Sequence, residues 1–186
     1  ISREEMELFA FNSHQKAISA IESGIFKNEI VPVNGLLDDE TPRRDTSLER
    51  MSTLEPLIEG HSITAALLSQ NADGAACLLI VSEEILKEHN LEPLVKVSHI
   101  SVRADDPIWM LTAPIPATKY ALKKSGMDLS DIDIVEINEA FAAQSIAVVR
   151  TLSVPEEKVN VNGGAIALGH PIGCLLYTSP SPRDVE

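Results

Sequence analysis

The sequence predicts a layered α/β domain, and three observations carry that expectation. From Asp73 onward, short apolar runs alternate with segments of helical spacing. The opening residues bear a helix-start signature, and hydrophobic residues make up 44% of the 186, the balance of a chain able to bury a core.

The elements follow in order. Ser2 with Glu5 three residues later fits a capping box, and Met6, Phe9, Ala10, Ser13, Ala17, Ala20 and Ile21 recur at helical spacing until Gly24. A helix over Ser2–Ser23 is therefore expected. Glu29–Val33 (EIVPV) is a short strand candidate, and Leu36–Ser47 reads as a polar loop with charges of both signs. The alternation then gives a strand at Ala75–Val81, a helix over Ser82–His89, a strand at Val95–Val102, and a helix over Pro116–Ser125 stopped by Gly126. A strand at Ile132–Ile137 and a helix over Asn138–Leu152 complete it. No internal repeat is visible.

Composition excludes some partners. With 15 basic residues against 28 acidic ones and a net charge of −13, the chain lacks the cationic surface that a phosphate backbone or an anionic membrane requires. The longest apolar run, Ala75–Val81, falls far short of the roughly 20 residues of a spanning helix. No signal peptide precedes ISREE, and only Cys77 and Cys174 occur, so a reducing, cytoplasmic compartment without disulfides is expected. A chain opening on Ile1 suggests missing upstream sequence.

Two segments can carry chemistry. In DIVEINEAFAAQ (133–144) an apolar strand is expected to deliver Asn138 to a helix start, where its amide can fix a water or an oxyanion; a plain helix cap is the alternative. In NVNGGAIALGHPIG (160–173) four glycines surround His170 and permit close approach of backbone to ligand. A neutral imidazole there can donate to a carbonyl oxygen becoming negative, or deprotonate a nucleophile, or serve only structure. Neither segment fits a phosphate-binding glycine motif. His14, His61, His89 and His99 lack metal-ligand spacing, no metal site is expected, and Cys77 reads as a small buried hydrophobe.

NEAFAAQ followed by NVNGGAIALGHPIG resembles the thiolase family, with ISREEMELFAFNSHQKAISA and APIPATKYAL in the family's order, so that the likeness spans nearly the whole chain to Gly173. The resemblance implies the thiolase fold, a layered αβαβα arrangement present here incompletely, and cleavage or formation of 3-oxoacyl-CoA thioesters. By it, residues 1–71 are the later part of the loop domain and 72–173 part of the C-terminal domain. It makes His170 the active-site histidine and Asn138 the holder of an oxyanion-hole water. Ser69 would contact the pantetheine arm of CoA, and Met110 and Phe141 the acyl pocket, a core role being open for both. Leu67 stands where many members have Asn, a variant that points to acyl-CoA degradation in β-oxidation.

The same resemblance implies acyl-CoA and CoA as substrates, no further cofactor, and a homo-oligomeric full-length protein. Arg43 and Arg44 in the polar loop are candidates for the nucleotide end of CoA, simple solvation being the alternative for paired loop arginines. After Gly173 the family pattern breaks. Cys174–Asp184 (CLLYTSPSPRD) match one translated frame of a transposase adapter used in sequencing-library preparation, so 174–186 are expected to be a non-native tail. Both catalytic cysteines would then lie outside the chain, which alone should be inactive. A non-catalytic lipid-binding or interaction protein of the same fold is the competing reading, decided by whether the full open reading frame keeps both cysteines.

Overall fold

The computed structural model describes residues 1–171. Six α-helices follow one another among them: α1 (Arg3–Glu22), α2 (Leu48–Ser52), α3 (Glu83–Glu88), α4 (Pro114–Ser125), α5 (Ala142–Leu152) and α6 (Ala165–Leu168). The capping box of α1 forms as its spacing predicts. Ser2 Oγ accepts from the Glu5 N–H at 3.2 Å and Glu5 Oε2 accepts from the Ser2 N–H at 2.7 Å, satisfying two donors that a helix start leaves unpaired. Left-handed glycines follow the helices at Gly24 and Gly126, as read from the sequence. The short helix α2, capped by Ser47, lies in a stretch to which the sequence analysis assigns no element, and it delivers the buried Met51.

The main core lies where α1 crosses α5 and α6. Met6, Ala10, Met51, Leu67, Ala142, Ile146 and Ile166 pack there, so the apolar stripe of α1 is buried as its periodicity requires. A second cluster joins Val149, Val154 and Val159 to Val135, Ile137 and Leu152. Val135 and Val159 form a parallel bridge on either side of α5, with the Val135 N–H donating to Lys158 O at 2.9 Å and the Asn160 N–H to Val135 O at 3.0 Å. Extended chain, helix and parallel extended chain make a minimal βαβ unit, the α/β rhythm in its smallest form.

Elsewhere the expected strands do not form ladders. Glu29–Val33 gives way to a single Val33–Leu36 bridge across a tight turn. Residues 75–81 and 95–102 make no backbone–backbone hydrogen bond among the described residues, and most of their side chains are exposed, Leu79 and Val95 by 79% and 82%. A strand, unlike a helix, cannot satisfy its own backbone, so an apolar run without a neighbour remains irregular. Cys77 is correspondingly exposed rather than buried. Among the described residues no helix is long and apolar enough to cross a membrane.

Candidate functional site

The segment Leu68–Asn71 organises the candidate site. Leu68 bridges Phe141 in antiparallel sense, and the Ser69 N–H donates to Ala140 O at 3.2 Å. One residue on, Gln70 O accepts from the His170 N–H at 2.8 Å, and Asn71 bridges His170 in parallel. Successive peptide groups of an extended chain address opposite edges. Ser69 therefore lies between Ala140–Phe141 on one edge and His170 on the other, and three of the residues singled out in the sequence meet through backbone pairing.

The approach to His170 is fixed from several sides. α6 ends at Gly169, whose φ of +91° suits glycine; a Cβ there would also come within 2.6 Å of Ala72 Cβ. Thr41 Oγ1 donates to Leu168 O at 2.8 Å. The Gln70 carboxamide donates to Thr41 O and Ile166 O, both at 3.1 Å, and accepts from the Arg43 guanidinium at 3.2 Å. The imidazole that results is half-buried, with a buried Nδ1 that has no hydrogen-bond partner among the described residues. Buried polar atoms without partners are uncommon in folded proteins, and a water or ligand oxygen is what such an atom accommodates.

Asn138 has a different setting. It does not open a helix: α5 starts at Ala142, and Phe141 before it is extended at φ −142° and ψ 143°. The reason is that 139–141 are already committed, Phe141 to its bridge with Leu68 and Glu139 to a buried network. Asn138 is exposed and lines a concavity of about 430 Å³ with Leu111, Pro114, Glu136, Gln144 and Leu152. Loss of water and then repulsion from Glu139 push the Glu136 carboxyl above its ordinary range, against the opposing pull of Lys16. His170 does not line this concavity. Nor does Met110, which is exposed at a φ of +23° beside Leu111, the neighbour that does line it.

Sequence reasoning missed the groups beneath these residues. Glu139 is only 1% exposed, and its carboxylate accepts from Ser13 Oγ at 2.7 Å, Asn160 Nδ2 at 2.8 Å and the Ile166 N–H at 3.2 Å. Asn160, also buried, accepts from the Ile137 N–H at 2.7 Å and donates to Ile137 O at 2.9 Å. Two signals pointed that way: a serine at position 13 of an apolar stripe, and a glutamate among the apolar residues of EINEAFAA. Arg43 and Arg44 are engaged with Gln70 and Glu22. His14, given no role from sequence, is buried and accepts from the Arg43 N–H at 3.1 Å; burial, then the Arg43 charge, lowers its pKa to about 4. Among the described residues no three His, Cys, Asp or Glu side chains cluster to hold a metal. Cys174 and the adapter-like segment lie outside the described residues.

Comparison with known proteins adds to this geometry. The model of the thiolase N-terminal domain matches residues 1–84 and that of the thiolase C-terminal domain residues 91–175. The chain is 51% identical to the steroid 3-ketoacyl-CoA thiolase FadA6 of Mycobacterium tuberculosis, over 96% of this chain and 46% of that protein. It is 45% identical to a 3-ketoacyl-CoA thiolase of Citrobacter koseri, over 94% of this chain and 48% of the relative. Among solved structures it resembles the Bacillus anthracis acetyl-CoA acetyltransferase, with a TM-score of 0.88 and 44% identity over 94% of this chain and 46% of the other. It also resembles human mitochondrial 3-ketoacyl-CoA thiolase in complex with CoA, with a TM-score of 0.83 and 39% identity over 92% of this chain and 45% of the other. The chain thus spans about half the length of the proteins it matches.

Proposed function

The chain belongs to the thiolase family, and on that premise we propose that it carries part of the acyl-transfer machinery of an enzyme that cleaves or forms 3-oxoacyl-CoA thioesters, with acyl-CoA degradation as its setting. One observation supports the reading above the rest: His170, whose buried Nδ1 has no partner among the described residues, is paired through Gln70 and Asn71 to the segment that also holds Ser69 against Ala140 and Phe141.

Thiolysis has three chemical demands: a thiolate that takes the acyl group, a second acid or base for the CoA thiol, and donors waiting where the thioester oxygen turns negative. His170 fits the third demand as a donor to that oxygen and the first as a base toward a nearby thiol. Asn138, which in this chain faces a concavity that His170 does not line, is assigned by the family resemblance alone a water that donates to the same oxygen. Ser69, between the two paired edges, is assigned to the pantetheine arm, and Phe141, half-buried beside it, to the acyl chain. Met110 keeps its assignment to the acyl pocket through the strained turn it forms with Leu111. Neither Cys77, exposed within 75–81, nor Cys174 is assigned the nucleophile, so the chain by itself should not turn over.

The test is kinetic and uses the full-length protein. His170→Ala and Asn138→Ala should each lower kcat by about 10²- to 10³-fold with KM for acetoacetyl-CoA little changed, the loss typical of one oxyanion donor. Ser69→Ala should instead raise KM for CoA. Wild-type kcat in both of the first two variants overturns the assignment, and CoA-dependent cleavage by the 186-residue chain alone overturns its predicted inactivity.

A further inference from the structure

We infer that Glu139 is a positioning residue, which holds the Asn138 segment and the glycine loop leading to His170 in one register; its catalytic meaning rests on the thiolase reading, while the mechanical coupling does not. The side chain is almost wholly enclosed, and its partners come from three separate parts of the chain. Ser13 reaches it from α1, Asn160 from the turn after the Val159 bridge, and the Ile166 N–H from the first turn of α6. Ser13 Oγ also accepts from the Gly164 N–H at 3.0 Å, so a donor chain runs from the glycine pair through the serine to the carboxylate.

The glycines are what make this approach feasible. A Cβ on Gly164 would overlap the Glu139 carboxyl group, and one on Gly163 would meet Ala17 and Ser13 at 2.7 Å. The loop is therefore shaped to close on this carboxylate. Both of its oxygens act purely as acceptors facing donors, a pattern an uncharged carboxamide cannot reproduce, because one acceptor becomes a donor aimed at donors. Glu139 adjoins Asn138 in the chain, and Ile166 lies four residues before His170, so loosening this contact moves one assigned residue relative to the other.

The experiment uses the full-length protein, its Glu139→Gln variant, amide hydrogen exchange and the imidazole NMR signals of His170, identified by their loss in His170→Gln. The inference requires exchange at Gly164 and Ile166 to accelerate about 10- to 100-fold in Glu139→Gln, the His170 ring signals to move, and the Ala10 amide in α1 to exchange as in wild type. Unchanged Gly164, Ile166 and His170 signals in the folded variant overturn it. Equal acceleration at all sites including Ala10 overturns it too, as the mark of a merely structural role. Should Glu139→Gln fail to fold, Ser13→Ala decides: the same displacement on a smaller scale supports the coupling, and wild-type Gly164 and His170 signals refute it. Titration of CoA into the wild-type chain separates the two readings, since absence of any CoA-induced shift counts against the thiolase site while leaving the Glu139 coupling standing.

Discussion

The helices α1, α5 and α6 bury Met6, Ala10, Ala142, Ile146 and Ile166, whereas the apolar runs 75–81 and 95–102 leave Leu78, Ile80, Val97 and Ile100 facing outward. Hydrophobic content does not separate the two regions; backbone satisfaction does. A helix pairs its own N–H and C=O groups and then needs only one apolar face covered, while a strand needs a neighbour along its whole edge before its side chains have anything to pack on. The site residues divide in the same way. His170 sits on the packed side, held by Gln70, Thr41 and the loop over Glu139, while Asn138 faces the open concavity and Met110 is exposed outside it.

The sharpest way to break this contrast is to cut the core. Leu67, fully buried beneath the site segment, should cost about 2–5 kcal/mol as Leu67→Ala, seen as a lowered urea midpoint. Gly164→Ala, which forces a methyl into the Glu139 carboxylate, should cost about 1–3 kcal/mol and accelerate amide exchange around Ile166 more than in α1. Ser2→Ala removes the α1 cap and should cost about 1 kcal/mol.

His14 adds a pH dependence to the packed side. Its pKa is lowered from 6.5 to about 4 in the folded chain, so between those values the unfolded chain binds the proton and the folded chain does not. Stability should therefore fall as pH drops through that window and level off below it. Urea midpoints at a series of pH values check this, and His14→Gln should flatten the slope. At the small end, Ile80→Thr and Val97→Thr should change stability by no more than about 0.5 kcal/mol. A loss of several kcal/mol from either would show that these runs are packed after all.

Legibility followed the same physics. Helix α1 could be read to its caps because a capping box, an apolar stripe and a stopping glycine all act within a few residues. The βαβ unit around α5 was legible as a pattern, yet the start of α5 was placed four residues early. The sequence signal at Asn138 for a helix N-terminus was local, and what overrode it was distant: Leu68 bridging Phe141, with Ser13 and Asn160 drawing in Glu139. Of the candidate site, His170 was singled out by its glycine-rich motif and Ser69 by the family resemblance, and the backbone pairing brings the two into neighbouring positions. Gln70 and Glu139, which bind them to the rest of the molecule, were passed over.

What the amino-acid order determined alone is the set of events that happen within one turn or one motif: the capped helices, the left-handed glycine stops, the glycine-flanked histidine and the family signature that joins it to NEAFAAQ. Tertiary structure alone decided which apolar runs are covered, where α5 begins, and that a single carboxylate ties α1, Asn160 and the glycine loop together. Local elements arise from contacts a few residues apart, whereas the burial of a charge or the pairing of a strand depends on distant groups, such as Ser13 and Gly164, 151 residues apart, whose meeting no local pattern encodes.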